Sequence, residues 1–351
     1  MPITDISKIT RPEIIEFFEI RQNFQSQVNE AFFRSVDYTE DDYYPIWEKV
    51  DELNNRWLNG DDVKNMLTMK EKLLLAEHLR FYMEYNADYI EQLFPFSDET
   101  IRKPVTANNV PCEWFSYRGT REDRVLLYIH GGGHIMGSSN SHKFLALKLA
   151  KITNMKVLSV NYRLAPEEPH PAGLEDCVSA YEWLLSSGFQ SNSIIVIGSS
   201  AGGYYTLMTL LKLRDSGISL PAGAVCLSPS TDMTITGESI YKNCSIDIIL
   251  GDLGYVWWVE SHLAGRSPSD PKVSPLHADL KNLPPILLQV STSEMLFNDS
   301  TRFYERGKKA GVDISMQTWD DTLHVFHNFL PESIETLEAM EKIKKFTENL
   351  L

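Results

Sequence analysis

From residue 124 onward, short runs rich in β-branched and other apolar residues alternate with segments of helical period. The runs are "RVLLYI" (124–129), "MKVLSV" (155–160), "IIVIG" (194–198), "AGAVCLS" (222–228), "PPILLQV" (284–290) and "DISMQTW" (313–319). Among the segments that separate or follow them are "SHKFLALKLAKIT", "AGLEDCVSAYEWLLSSG", "DSTRFYERGKKAG" and "ESIETLEAMEKIKKFTENLL", with apolar residues three and four apart. Parallel strands need long crossovers, so this alternation predicts βαβ units: an α/β fold with a mostly parallel central sheet and helices on both faces.

Residues 1–100 read differently. "RPEIIEFFEIRQNFQSQVNEAFFRSV" and "MKEKLLLAEHLRFYMEYNADYIEQLF" have the spacing of amphipathic helices, and no strand is expected there. The chain therefore divides into an N-terminal helical region, 1–100, and an α/β region, 101–351. Within the latter, the stretch from Ser228 to Pro284 breaks the rhythm. It contains "IDIILGDLGYVWWVESHLAG", too apolar for a disordered loop, and residues 233–265 are expected to form an inserted helical element. Its natural place is beside the N-terminal helices, over the C-terminal edge of the sheet, where open α/β sheets carry their sites.

Composition narrows the function classes. A formal net charge of −15 argues against nucleic acid or an anionic membrane as a partner, because a phosphate backbone attracts the opposite sign. No stretch approaches the ~20 apolar residues of a membrane helix, and the opening "MPITDISKITRPEIIEFF" has no basic segment leading into an apolar run, so no signal peptide is expected. Cys112, Cys177, Cys226 and Cys244 are scattered, without a C-x-x-C pair. Neither a zinc site nor a disulfide framework is expected, and a reducing, cytoplasmic setting fits.

Against that background "GSSAG" (198–202) matches G-x-S-x-G directly between a strand and a helix, the context in which the motif presents a serine at the apex of a sharp turn. Ser200 is the candidate nucleophile. "HGGGHIMG" (130–137) also follows a strand, and its successive glycines let backbone N–H groups converge on one point, as an acyl-transfer oxyanion requires. The same loop does not fit G-x-G-x-x-G, and no G-x-x-x-x-G-K-[ST] occurs, so nucleotide is not expected. His130 and His134 are four apart, but the glycine run cannot hold a helix between them and no carboxylate completes a ligand set; no metal or organic cofactor is expected.

The base and the acid should follow Ser200 in the order acid, then histidine. Of His262, His277, His324 and His327, His324 in "WDDTLHVFHNF" stands between the last strand and the closing helix and is the candidate base; His327 falls into the helix. For the acid, "STSEMLFNDSTRF" offers Glu294 at the strand's end and Asp299, which reads as an N-cap, with Asp320 and Asp321 as remaining candidates.

Taken with "NYRLAPEEPHPAGLEDCVSAYEWL" (161–184) and "SPLHADLKNLPPILLQVSTSEMLFNDS" (274–300), these motifs resemble the hormone-sensitive-lipase family of α/β-hydrolases, the bacterial and archaeal carboxylesterases with an H-G-G-G loop. The resemblance runs from about residue 100 to the end. It implies an α/β-hydrolase fold with a helical cap, Ser200 as nucleophile, Glu294 as acid, His324 as base, and the N–H groups of Gly131, Gly132 and Ala201 as oxyanion hole. It also implies a small-molecule ester of short to medium acyl chain as substrate, and a homodimer formed along the sheet edge near the last strand. Ser199, His134, Tyr204 and the glutamate at 294 depart from the family's commoner residues. An amidase or peptidase using the same triad, and a non-catalytic ligand receptor on the same fold, are the alternative readings. The aromatic residues of the helical regions, Phe17, Phe18, Phe24, Phe32, Phe33, Tyr43, Tyr44, Trp47, Trp57, Tyr255, Trp257 and Trp258, either line an apolar pocket or glue the cap to the core.

Overall fold

The computed structural model describes residues 5–251 and 254–351. Three long helices come first: α1 (Pro12–Ser35), α2 (Glu40–Leu58) and α3 (Met69–Leu93). The second was not among the segments marked by apolar spacing. Its start is signalled instead by Thr39, whose N–H donates to the Asp42 carboxylate at 3.0 Å, and α3 opens on a similar box, Thr68 with Glu71.

Then follow β1 (Thr100–Ala107), β2 (Val110–Tyr117), β3 (Arg121–Ile129), α4 (Lys143–Thr153), β4 (Met155–Val160), α5 (Ala172–Ser186), β5 (Ile194–Ser199), α6 (Ala201–Asp215) and β6 (Gly223–Leu227). The chain continues through α7 (Glu238–Asn243), α8 (Tyr255–Leu263), β7 (Ile286–Ser291), α9 (Phe297–Lys309), β8 (Ile314–Trp319), α10 (Phe326–Phe329) and α11 (Ile334–Leu350). The stretch between β6 and β7 carries α7 and α8 within the expected 233–265 element, of which residues 252–253 lie outside the described residues.

Among the described residues eight strands form one sheet in the order β1-β2-β4-β3-β5-β6-β7-β8, in which β2 alone runs against its neighbours. The chain is an α/β-hydrolase fold. The six runs read from the sequence correspond to β3 through β8, whereas the hairpin β1–β2 was not anticipated. Its residues alternate between exposed and covered positions and include charges and Pro104. Its turn, Asn108-Asn109, has both residues at positive φ (47° and 69°), as a two-residue hairpin loop requires.

The period of two in the strands sorts the core. Leu126 and Tyr128 of β3 face α4 and α11, packing with Leu145, Leu149, Met340 and Ile343, while Val125, Leu127 and Ile129 face the opposite side with residues of α5 and α6. Because β3, β5, β6, β7 and β8 are parallel and in register, their C-terminal residues lie along one edge: Ile129 opposite Gly198, Ser199 opposite Leu227, Ser291 opposite Trp319. The N-terminal helices meet that edge, where Arg80 of α3 donates to the carbonyl of Ile135 at 2.7 Å. They also meet the insertion: Lys72 pairs with Glu260 at 3.1 Å, and Trp57 stacks on Tyr241 with centroids 5.0 Å apart. Among the described residues no helix is long and apolar enough to cross a membrane.

Candidate active site

Ser200 joins β5 to α6 with φ 54° and ψ −118°, a conformation that costs a non-glycine residue on the order of 1–3 kcal/mol and persists only where its surroundings enforce it. The surroundings do so by close approach. A Cβ on Gly202 would lie 1.9 Å from the carbonyl oxygen of Ile129, and one on Gly198 would lie 2.1 Å from that of Gly202. Both glycines are therefore required for the turn to fit between β3 and α6. The Ser200 N–H is drawn to the Leu227 carbonyl at 2.8 Å, which ties the turn to β6.

Two loops from the same sheet edge converge on the serine. His324, between β8 and α10, places Nε2 2.9 Å from Ser200 Oγ and Nδ1 2.9 Å from Glu294 Oε1. Glu294, between β7 and α9, is fully buried. Its other oxygen, Oε2, accepts from the Ser228 hydroxyl at 2.7 Å and from the Ser291 N–H at 3.1 Å. Ser228 in turn accepts the N–H of Val325 at 3.2 Å, so one hydroxyl fixes both the carboxylate and the chain beside the imidazole. These supporting serines were not singled out in the sequence; they sit at the C-terminal ends of β6 and β7, one signal that marked Glu294.

The electrostatics follow from burial. Burial pushes the Glu294 carboxyl up, and the adjoining His324 pulls part of that back. For His324 burial opposes the charged ring, but the Glu294 carboxylate outweighs it and holds the imidazole above its ordinary value of 6.5. The site thus favours a proton on His324 next to a carboxylate that cannot be hydrated.

The other candidates lie elsewhere. Asp299 is not an N-cap: Leu296 occupies that position, and Asp299 sits in the first turn of α9, where Oδ2 accepts from the N–H groups of Thr231 (2.6 Å) and Asp232 (2.9 Å). Burial raises its pKa to about 7. Asp320 accepts from the Thr292 hydroxyl at 2.8 Å, and the Asp321 carbonyl receives Arg11 at 3.1 Å. His327 in α10 pairs with Gln289 at 2.9 Å, and His277 stands 3.4 Å from Asp232.

The glycine loop leaves β3 directly opposite the serine turn. Gly131 approaches it so closely that a Cβ there would be 3.4 Å from Ser200 Cβ, and Gly132 has φ 117°, with the space for a Cβ taken by the Met136 carbonyl. Ala201 is the first residue of α6, where helix N–H groups point outward unpaired by the helix itself. His130 and His134 are packing residues. His130 stacks on Tyr162 at 4.2 Å between ring centroids and His134 on His262 at 3.8 Å; burial pushes each down to about 3. Among the described residues no group of three or more His, Cys, Asp or Glu side chains could hold a metal ion.

Many of the aromatics bind helices to each other. Phe32, Phe33, Tyr43 and Trp47 form ring contacts linking α1 and α2, with His78 of α3 among them. Tyr255 hydrogen-bonds Ser230 at 2.8 Å, which joins α8 to the loop beyond β6. Phe17 meets Phe329 of α10 at 5.7 Å.

Residues 126–328 match the family described as alpha/beta hydrolase fold. An acetyl-hydrolase of Streptomyces hygroscopicus is 38% identical over 238 residues, covering 68% of this chain and 79% of that protein. An esterase of Acinetobacter venetianus is 32% identical, covering 75% and 87%. Among solved structures, an esterase from the bacterial hormone-sensitive lipase family superposes with a TM-score of 0.72 at 36% identity, over 87% of this chain and 98% of that one. The esterase EstE5, soaked with p-nitrophenyl butyrate, gives 0.74 at 32% identity over 86% and 98%.

Proposed function

This chain is a carboxylic ester hydrolase of the hormone-sensitive-lipase family of α/β-hydrolases, and from that premise we propose that it cleaves short- to medium-chain esters through an acyl-enzyme on Ser200. The observation that carries the reading is the unbroken relay from Ser200 Oγ through His324 to Glu294, with both links at 2.9 Å.

In the first half-reaction His324 Nε2 takes the proton of Ser200 as Oγ bonds to the ester carbonyl carbon. The carbonyl π pair moves to oxygen, and the oxyanion is held by the N–H groups of Gly131, Gly132 and Ala201. When the tetrahedral intermediate collapses, the C–O bond to the alcohol breaks and the imidazolium gives the alcohol its proton. Water then repeats the sequence: His324 takes its proton, its oxygen attacks the acyl carbon, and Ser200 leaves with the proton returned. Glu294 keeps the proton of His324 on Nδ1 and stabilises the imidazolium. The N-terminal helices and the 233–265 insertion act as the cap over this edge, and no metal or organic cofactor takes part in any step of this reading.

The acyl-chain preference is supported by the acetyl-hydrolase name of one relative and by the butyrate ester soaked into EstE5. A series of p-nitrophenyl esters from acetate to palmitate, run beside matching p-nitroanilides, tests it. Turnover should be highest on the short members, fall with the long ones and be negligible on the anilides. A preference for palmitate overturns the chain-length reading, and faster anilide cleavage replaces esterase with amidase.

The pH profile gives a second check. A general base works only when neutral, so kcat/KM should fall as pH drops through the value of His324 in the free enzyme. Glu294 holds that value above 6.5, so the acid limb is expected on the alkaline side of an isolated imidazole. A limb centred below 6.5 would mean that Glu294 is not charged beside His324.

A further inference from the structure

The loop that carries Glu294 is gripped by the inserted segment. Three buried or half-buried side chains four residues apart do this, Ser239, Asn243 and Asp247. Asn243 Nδ2 donates to the carbonyls of Thr292 (3.0 Å) and Glu294 (2.9 Å). Ser239 Oγ donates to the Met295 carbonyl at 2.6 Å and accepts the Asn298 N–H at 2.9 Å. Asp247 Oδ2 accepts the N–H of Met295 at 2.8 Å, so the peptide that follows Glu294 is held at both its oxygen and its nitrogen.

Asp247 differs from the other two in bringing a carboxylate. It is 3% exposed, and its Oδ1 accepts the N–H groups of Ile249 (3.1 Å) and Leu250 (3.0 Å). Its hydrogen-bond partners on the described residues are thus backbone amides, which spread a negative charge without neutralising it. Among the described residues its carboxylate raises the proton affinity of His324, that of Glu294 to which it is a like charge, and that of Cys244 on its own segment. Lys8 reaches the segment at Ser245 and Arg21 at the Ile248 carbonyl, both from the N-terminal region. His324 also faces His327, whose ring is neutral because burial pushes it down to about 3.

We propose that Asp247 is a positioning residue for the relay: it fixes the backbone behind Glu294 and sets a second buried negative charge near the Glu294–His324 pair, so that two carboxylates stabilise the imidazolium. The inference rests on His324 being the general base. It also gives the insertion a part in the chemistry besides covering the site, because the acid's loop is aligned from the segment that forms α7. Electrostatic effects of this kind gain strength where water is excluded, and Glu294, Asp247 and His324 are all buried.

Charge and hold can be separated by substitution. The kcat/KM profile against pH would be measured on a p-nitrophenyl ester for wild type, Asp247→Asn, Asp247→Ser, Asp247→Glu and Asn243→Ala. Both neutral variants at 247 should move the acid limb to lower pH, since Asp247 raises the proton affinity of His324. Asp247→Glu should bring it back toward wild type. Asn243→Ala, which keeps the Asp247 carboxylate, should lower kcat roughly tenfold through misplacement of the acid, with KM little changed and a smaller shift of the limb than either neutral variant at 247 gives. A folded Asp247→Asn with the wild-type limb overturns the proposal, and failure of both neutral variants to fold overturns it by making Asp247 purely structural. If wild type has no acid limb or Ser200→Ala keeps its rate, the fault lies with the reading of His324. A wild-type limb and an inactive Ser200→Ala, beside an unshifted Asp247→Asn, confine the failure to Asp247.

Discussion

Ser200→Ala is expected to lower kcat on a short p-nitrophenyl ester by about 10⁶-fold while the protein remains folded. The substitution removes one atom, Oγ, whose hydrogen bond is the one to His324 at 2.9 Å. Alanine is no worse suited than serine to φ 54°, because both carry a Cβ, so the turn and its close contacts with Ile129 and Leu227 persist. The loss should exceed that of any other single change in the site, since no neighbouring hydroxyl takes the place of Oγ: the Ser199 hydroxyl lies by Tyr128 at 3.3 Å, on β5. A residual rate of about 10³ over the uncatalysed reaction is compatible with the glycine loop acting alone. Matched circular dichroism and melting curves would show the fold intact. A variant that keeps more than about a hundredth of the wild-type rate, after contaminating esterase has been excluded by active-site titration, rules Ser200 out as nucleophile.

Glu294→Gln should cost about 10³–10⁴-fold in kcat, whereas Asp299→Asn should stay within roughly tenfold of wild type. The difference lies in what each carboxylate touches. Glu294 Oε1 accepts from His324 Nδ1, and Oε2 accepts from Ser228 and Ser291. A glutamine that turns its NH₂ to His324 makes Nδ1 an acceptor and puts the ring proton on Nε2, facing Ser200 where the base is needed. Turned the other way, the NH₂ confronts the donors Ser228 Oγ–H and Ser291 N–H. Both orientations fail.

Asparagine at 299 meets no such conflict. Its oxygen can replace Oδ2 between the Thr231 and Asp232 amides, and its nitrogen takes the place of Oδ1, which has no hydrogen-bond partner among the described residues. With the folded pKa of Asp299 raised from 3.8 to about 7, ionisation costs the folded state stability as pH climbs through that interval. The neutral amide avoids that cost, so Asp299→Asn should melt no lower than wild type at pH 8. Retained activity in Glu294→Gln together with an inactive Asp299→Asn would transfer the acid's role to Asp299.

Legibility in the sequence tracks how local each feature is. The strands β3 to β7 were readable because central parallel strands are buried on both faces and so are written as nearly unbroken apolar runs, as "IIVIG" and "ILLQV" are, whereas β8, at the edge, buries only Ile314 and Trp319. The β1–β2 hairpin lies at the edge of the sheet, where one strand can tolerate "IRKP" and the apolar signal disappears; only Asn108-Asn109 marked it. Helix α2 escaped for a different reason, since Tyr43, Ile46, Val50 and Leu53 keep the three-and-four spacing but Pro45 among them reads as a helix breaker. It buries those four residues, and its charged residues occupy the opposite face.

The residues of the site divide in the same way. Ser200 was marked by the strand, the glycines and the helix around it, a local pattern with a steric cause. His324 and Glu294 could be named because loops after parallel strands must leave the same edge. The sequence by itself determined the fold class, the order of its parallel strands along the chain and the short list of groups for the chemistry. Only the tertiary structure decided which carboxylate meets His324, since Glu294 and Asp299 are five residues apart and differ in direction: one closes on the imidazole from the end of β7, the other turns inward to the amides beyond β6. It alone decided that Ser228, Asn243 and Asp247 stand around Glu294 and its loop. Local patterns record burial and backbone conformation, whereas a hydrogen bond between segments as distant as Asp247 and Met295 exists only after the chain has folded them together.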